Sequence, residues 1–208
     1  MVRRVRIAAA LAVVVALVVA GPMTARSGDP ADDARRFIEG LADKAIAALT
    51  VEDMLRDERI TRFLSLLTDH FAVDIIGRWV LGRHWRRATD AERDEYLKLF
   101  EDLIVFTYVD RFTQYSGEQL SVTKTLFSDE SKDALMFSEI SRPTGGEPIE
   151  VAWRVRIHKG DMKIVDVIVE GVSMGQTQRS EFGAVIRRNG GRVSSLIDEL
   201  RRRLDGDA

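Results

Sequence analysis

The stretch Ile149-Glu150-Val151-Ala152-Trp153-Arg154-Val155-Arg156-Ile157-His158 decides the fold. Ile149, Val151, Trp153, Val155 and Ile157 alternate with Glu150, Ala152, Arg154, Arg156 and His158. That is the period of a strand with one apolar and one polar face. Lys159-Gly160-Asp161 reads as a hairpin turn, and Met162 to Glu170 returns as a strand rich in Val and Ile. Strands joined by so short a turn pair antiparallel. Upstream, Pro143-Thr144-Gly145-Gly146 is a second turn, and Gln119 to Phe127 and Asp133 to Arg142 are strand-like. The middle of the chain is thus an antiparallel sheet of about four strands.

Helices flank it on both sides. Phe37, Ile38, Leu41, Ala45, Ile46 and Leu49 fall at helical spacing, as do Ile60, Phe63, Leu64, Leu67 and Phe71. A short third helix runs from Ala72 to Leu81, with Gly82 placed as its C-cap. Thr89-Asp90-Ala91-Glu92 is a capping box opening a long helix to about Tyr115, whose wide apolar stripe predicts burial. After the sheet, Gln176 to Arg188 and Ser194 to Leu204 are helical, broken by Gly190-Gly191. Helices, then sheet, then helices is an α+β layout, with amphipathic helices covering the apolar sheet face and room for a cavity between the layers.

The N-terminus is set aside from the fold. Met1 to Arg6 is positive, and Ile7 to Ala20 is an unbroken run of Ala, Leu, Val and Ile. The run is shorter than the roughly 20 residues of a spanning helix and fits a cleaved secretory signal, residues 1–20. A disordered leader, 21–30, follows. Export and the absence of cysteine go together with no disulfide framework and no lipid-anchoring cysteine after the signal.

Composition excludes several classes. Lys and Arg total 31 against 33 Asp and Glu, so nothing points to nucleic acid. His70, His84 and His158 fit no zinc signature. Gly171-Val172-Ser173-Met174-Gly175 matches the G-x-S-x-G nucleophile elbow, which would make Ser173 a hydrolase nucleophile. No histidine follows it in the chain and the sheet is antiparallel, so Ser173 is read instead as a helix cap. Asp166 stands in an apolar strand and needs a partner, for which Arg154 or Arg156 is the expectation. Arg83, Arg86 and Arg87 form a basic cluster read as a solvated turn.

The ordered set Ile164-Val165-Asp166-Val167, Glu170-Gly171-Val172-Ser173-Met174, Arg179, Phe182, Gly190-Gly191, Leu196-Ile197 and Leu200 resembles the MlaC, or toluene-tolerance, family of periplasmic phospholipid-binding proteins. Phe71-Ala72-Val73-Asp74, the run from Val80 to Thr89, and Tyr108 and Tyr115 extend the resemblance from about Asp32 to Leu204. Met162 replaces a common aromatic, and Asp74 is spread from Phe71. A hopanoid-associated branch of the family is the alternative.

The resemblance implies a sheet-and-helix fold of the nuclear-transport-factor (NTF2-like) type with a helical extension. It makes residues 31–208 one lipid-binding domain: a helical part 31–115, a sheet 117–171 and C-terminal helices 174–204. It implies a soluble monomeric carrier in the periplasm, without catalysis or resident cofactor, with phospholipid as cargo. Its partners would be an outer-membrane lipoprotein complex and an inner-membrane ABC lipid transporter. On this reading Val151, Trp153, Val155, Val165, Val167 and Val169 form one cavity wall, and Phe106, Val109, Phe112, Phe182, Val185 and Ile186 the other.

Overall fold

The computed structural model describes residues 29–206 apart from Asp129 and Lys132. The signal segment 1–20 lies outside the described residues, as does most of the leader. The leader's last two residues, Asp29 and Pro30, are structured: Asp29 caps helix α1 (Pro30–Leu49) by accepting from the Ala31 N–H at 3.0 Å, with Pro30 in the first turn. The helix thus begins two residues before the polar-to-apolar change that placed its start at Asp32.

Next come α2 (Arg56–His70), α3 (Val73–Leu81) and a 3-10 turn over Gly82–Arg87. Gly82 is the C-cap of α3 with a positive φ of 58°. The Thr89–Glu92 capping box is formed in both directions and opens α4 (Asp90–Tyr108). This helix is shorter than its apolar stripe suggests. Val109–Gln114 tighten into a second 3-10 turn, a common ending for a helix, with Thr113 Oγ1 donating to the Asp110 carbonyl.

Strands β1 (Gln119–Ser128), β2 (Asp133–Ser141), β3 (Ile149–His158) and β4 (Asp161–Val169) form an antiparallel meander. Lys159 and Gly160 both have positive φ, so the β3–β4 hairpin is of the primed type that matches strand twist. Glu170 and Gly171 repeat this geometry and add a two-residue fifth strand, β5 (Val172–Ser173), at the sheet edge. Helices α5 (Met174–Arg188) and α6 (Val193–Asp205) close the described chain.

Two bulges interrupt the pleat, at Thr123 in β1 and at Val165 in β4. Beyond each, the strand resumes one residue out of step, which changes which side chains face the helices.

The helices divide between two jobs. Val80, Tyr96, Phe100, Phe182, Leu196 and Leu200 are among the buried residues of a cluster built by α3, α4, α5 and α6. Tyr96 is fully buried and donates its hydroxyl to the Gly77 carbonyl at 3.0 Å, and burial pushes its phenol pKa upward. Gly77 is needed there, since a Cβ would stand 2.8 Å from Leu97 Cδ2. Helices α1 and α2 serve the sheet instead. Phe71 and Ala72, between α2 and α3, are tied to β4 by the Ala72 N–H donating to the Ile164 carbonyl.

Candidate functional site: the helix-covered sheet face

Cross-strand register arranges the inner sheet face in rows. Phe127, Ala134, Val155 and Ile164 form one. Thr125, Met136, Trp153 and Val167 form the next, and Val122, Ser138, Val151 and Val169 the third. Leu120, Ile140 and Ile149 end the face. Helix α1 lies over the first rows with Ala34, Ile38 and Leu41, joined by Phe37, by Leu66 of α2 and by Phe71. Met136 and Ile164 are fully buried at its centre.

The face is apolar but carries three polar groups. Trp153 Nε1 donates to Ser138 Oγ at 3.0 Å, and Ser138 Oγ donates to the Val151 carbonyl at 3.0 Å. Thr125 Oγ1 is buried and makes no hydrogen bond among the described residues.

Of the strand residues expected to form one wall, Val151, Trp153, Val155, Val167 and Val169 share this face. Val165 does not stand in a row: it is the extra residue of the β4 bulge, and Ile164 takes the place beside Val155. The helical wall is not brought together. Phe182, Val185 and Ile186 pack among α3, α4 and α6. Val109 is buried in a seam of α2 and α4 with Leu67 and Val105. Phe112 packs against Phe63 with ring centroids 5.9 Å apart, and Phe106 is 48 % exposed. The residues that actually face the strands come from α1, whose stripe is plain in the sequence, with Leu66 of α2 and Phe71 beside them. Periodicity reveals that a helix face is buried without saying against what.

Asp166 is held differently from the expected salt bridge. It is the cross-strand neighbour of Arg154 but makes no ion pair with it or with Arg156, whose guanidinium is bidentate to Asp133. That pairing holds the Arg156 pKa above its ordinary value. Asp166 instead accepts from Ser173 Oγ at 2.7 Å and from the Gly175 N–H at 3.2 Å. Ser173 Oγ in turn accepts from the Gln176 N–H at 3.0 Å as the N-cap of α5. Its φ of −68° and ψ of 123° are relaxed extended values, unlike the strained turn of a nucleophile elbow. Gly171 belongs to the hairpin turn. Gly175 is required because a Cβ there would stand 3.0 Å from the Trp79 ring.

Among the described residues no group of three His, Cys, Asp or Glu is placed to hold a metal. No described helix is long and apolar enough to cross a membrane. The fold and this face define an α+β protein whose distinguishing interior is a broad aliphatic and aromatic sheet surface covered by helices. Comparison with known proteins adds the family: the sequence model described as MlaC protein matches residues 39–202, and the chain belongs to that family.

Relatives agree. The chain is 22% identical over 136 residues to the intermembrane phospholipid transport system binding protein MlaC of Haemophilus influenzae, a match covering 64% of this chain and 63% of that protein. It is 22% identical over 116 residues to the toluene tolerance protein ttg2D of Pseudomonas putida, covering 56% and 53%. The chain therefore spans less than two thirds of the length of these curated relatives. A phospholipid-binding protein from Ralstonia solanacearum, solved in complex with a phospholipid, shares the fold with a TM-score of 0.73 at 20% identity, covering 83% of this chain and 97% of that one.

Proposed function

We propose that this chain is a phospholipid carrier of the periplasm, taking lipid between the two membranes of a Gram-negative envelope. The observation that carries this is the inner sheet face, three cross-strand rows deep and centred on Met136, Trp153 and Val167. Such a face suits acyl chains, because it offers contact area with little chemistry to read, so tail selectivity is loose. Each CH₂ kept from water is worth about 0.8 kcal/mol, so two acyl chains exposed to water would cost on the order of 20 kcal/mol. Membership of the MlaC family and the names of the relatives support the same cargo.

On this reading the acyl chains lie between α1 and the sheet, displacing Phe37, Ile38 and Leu41 from the positions they hold over the rows. The contacts to be exchanged are apolar on both sides. The one described side-chain hydrogen bond from α1 to β1 is long, Arg35 Nη1 to the Val122 carbonyl at 3.4 Å. The headgroup stays near solvent, no reacting group is needed, and the lipid is cargo rather than cofactor. Delivery would be to an inner-membrane ABC lipid transporter and exchange with an outer-membrane lipoprotein complex, the carrier acting as a monomer.

The test is uptake. The delipidated chain is incubated with phospholipid vesicles, re-isolated and extracted. Stoichiometric phospholipid on the wild type and none on a folded Met136→Arg variant are expected. A folded Met136→Arg protein with a full load would place the cargo elsewhere.

A further inference from the structure

A second feature lies away from the apolar face. The end of α3, the following 3-10 turn and α5 enclose an open cleft of about 610 Å³ lined by Arg78, Arg83, Arg86, Arg179, Trp79 and Trp85. No acidic residue lines it, and none of the four arginines forms an ion pair among the described residues. All four gather in one cleft of a protein whose net charge is −2.

Two of the four arginines, Arg179 and Arg78, are held by aromatic rings. Arg179 stacks over Trp79 at 5.1 Å from the ring centroid and donates Nη1 to the Trp79 carbonyl at 2.7 Å. Its guanidinium lies over Gly82, where a Cβ would come within 3.0 Å of it. Its Nε and Nη2 donate to nothing among the described residues. Arg78 stacks on Trp85 at 5.8 Å. Trp79 itself is 43 % exposed. A guanidinium fixed in position with free N–H groups is prepared for bidentate recognition of an oxyanion. An exposed indole beside it favours a site where an apolar and a wet phase meet.

We infer that this arginine–tryptophan cleft is the surface by which the protein alights on an anionic phospholipid bilayer, engaging lipid phosphates with Arg83, Arg86 and Arg179 and the headgroup boundary with Trp79. The choice of a bilayer over another polyanion rests on the carrier reading. The surface itself does not: it shares no residue with the sheet face, so docking and carriage are separable.

The experiment is flotation with vesicles of phosphatidylcholine alone and of phosphatidylcholine in which one lipid in four is phosphatidylglycerol, with lipid load followed in parallel by native mass spectrometry. The wild type binds the anionic vesicles, not the neutral ones, and releases as salt rises above about 0.15 M. Basic residues near such a surface contribute about a factor of five each, so Arg83→Glu with Arg86→Glu weakens binding by about thirty-fold or more while the lipid load is kept. A control with the same change in net charge at the sheet tips, Arg142→Glu with Lys159→Glu, loses less than the cleft variant. Equal binding to both vesicles, equal losses from the two double variants, or preferential binding to polyglutamate over vesicles would overturn the inference, the last assigning the cleft to an acidic protein. A cleft variant that has lost its load would make the cleft part of the cargo site, which also overturns it. Anionic-vesicle binding by a wild type that carries no lipid would leave the docking surface standing and remove the carrier reading.

Discussion

Ser173 donates its hydroxyl to Asp166 Oδ2 across 2.7 Å, and that bond joins the last long strand to the start of α5. Asp166 is 9 % exposed, and its other oxygen takes the Gly175 N–H. A hydrogen bond to a charged group is worth about 1.5–3 kcal/mol, and stranding its buried partners costs more. Asp166→Ala is expected to lower unfolding stability by about 2–4 kcal/mol in urea titration. Ser173→Ala removes the cap and costs about 1–2 kcal/mol. It leaves phospholipid uptake unchanged. Loss of uptake in a folded Ser173→Ala protein would give that hydroxyl a role beyond the helix start.

Gly175 allows α5 to approach the Trp79 ring. Gly175→Ala puts a Cβ 3.0 Å from that ring and 3.2 Å from Asp166 Oδ1. Overpacking of this kind costs about 1–3 kcal/mol, more than the helical gain of Ala over Gly. The change is checked by thermal unfolding, with Gly183→Ala as comparison. At Gly183 a Cβ meets only the flexible end of Arg187 at 3.1 Å, so little is lost.

His84 is 5 % exposed, and its Nδ1 has no hydrogen-bond partner among the described residues. Burial first, then the charges of Arg83, Arg87 and Arg187, lower its pKa from the ordinary 6.5. The native state therefore stays neutral at pH values where the unfolded chain already binds a proton. Stability contributed by this residue is present above pH 6.5 and falls as the pH drops from there toward the lowered native value. In urea titrations across that range, His84→Gln should show a shallower fall than the wild type. A steeper fall in the variant would contradict the assignment.

Ser138 is the one polar side chain at the centre of the inner face that is both buried and satisfied. Ser138→Ala leaves Trp153 Nε1 without its acceptor, at a cost of about 1–3 kcal/mol if water cannot reach it. Trp153 also stands in the row with Met136 and Val167, so its fluorescence should shift to the blue on phospholipid uptake. Trp79→Phe with Trp85→Phe isolates that signal, and an unchanged Trp153 spectrum on loading would place the acyl chains away from the face.

Local signals were the legible ones. The Thr89–Glu92 box, the Lys159-Gly160 hairpin and the Gly190-Gly191 break all depend on neighbours within a few residues, and all are present. The β3 alternation places Val151, Trp153 and Val155 on the covered face, though Ala152 on the other face is buried too and Ile157 at the strand end is 58 % exposed, and it is what made the sheet readable. Three things were hidden. A bulge adds a residue without changing composition, so Val165 read as part of the wall that Ile164 forms. Asp166 met Ser173 across a turn, where arginines beside it in the sheet looked the better partners. The aromatic stripes of α4 and α5 were visibly buried, but helical spacing carries no information on whether sheet or helices bury them. Arg83, Arg86 and Arg87 are exposed, as a solvated run should be, and Arg179, Trp79 and Gly82 join them only through the packing of α5 on α3.

Native mass spectrometry of the purified protein, followed by organic extraction and lipid identification, tests the central claim most directly. A single adduct of phospholipid mass that is lost in the folded Met136→Arg variant is predicted. A hopanoid adduct would keep the carrier and change its cargo. A protein that shows only its own mass and takes up nothing from vesicles would contradict the account, leaving α1 and the sheet as a packed core.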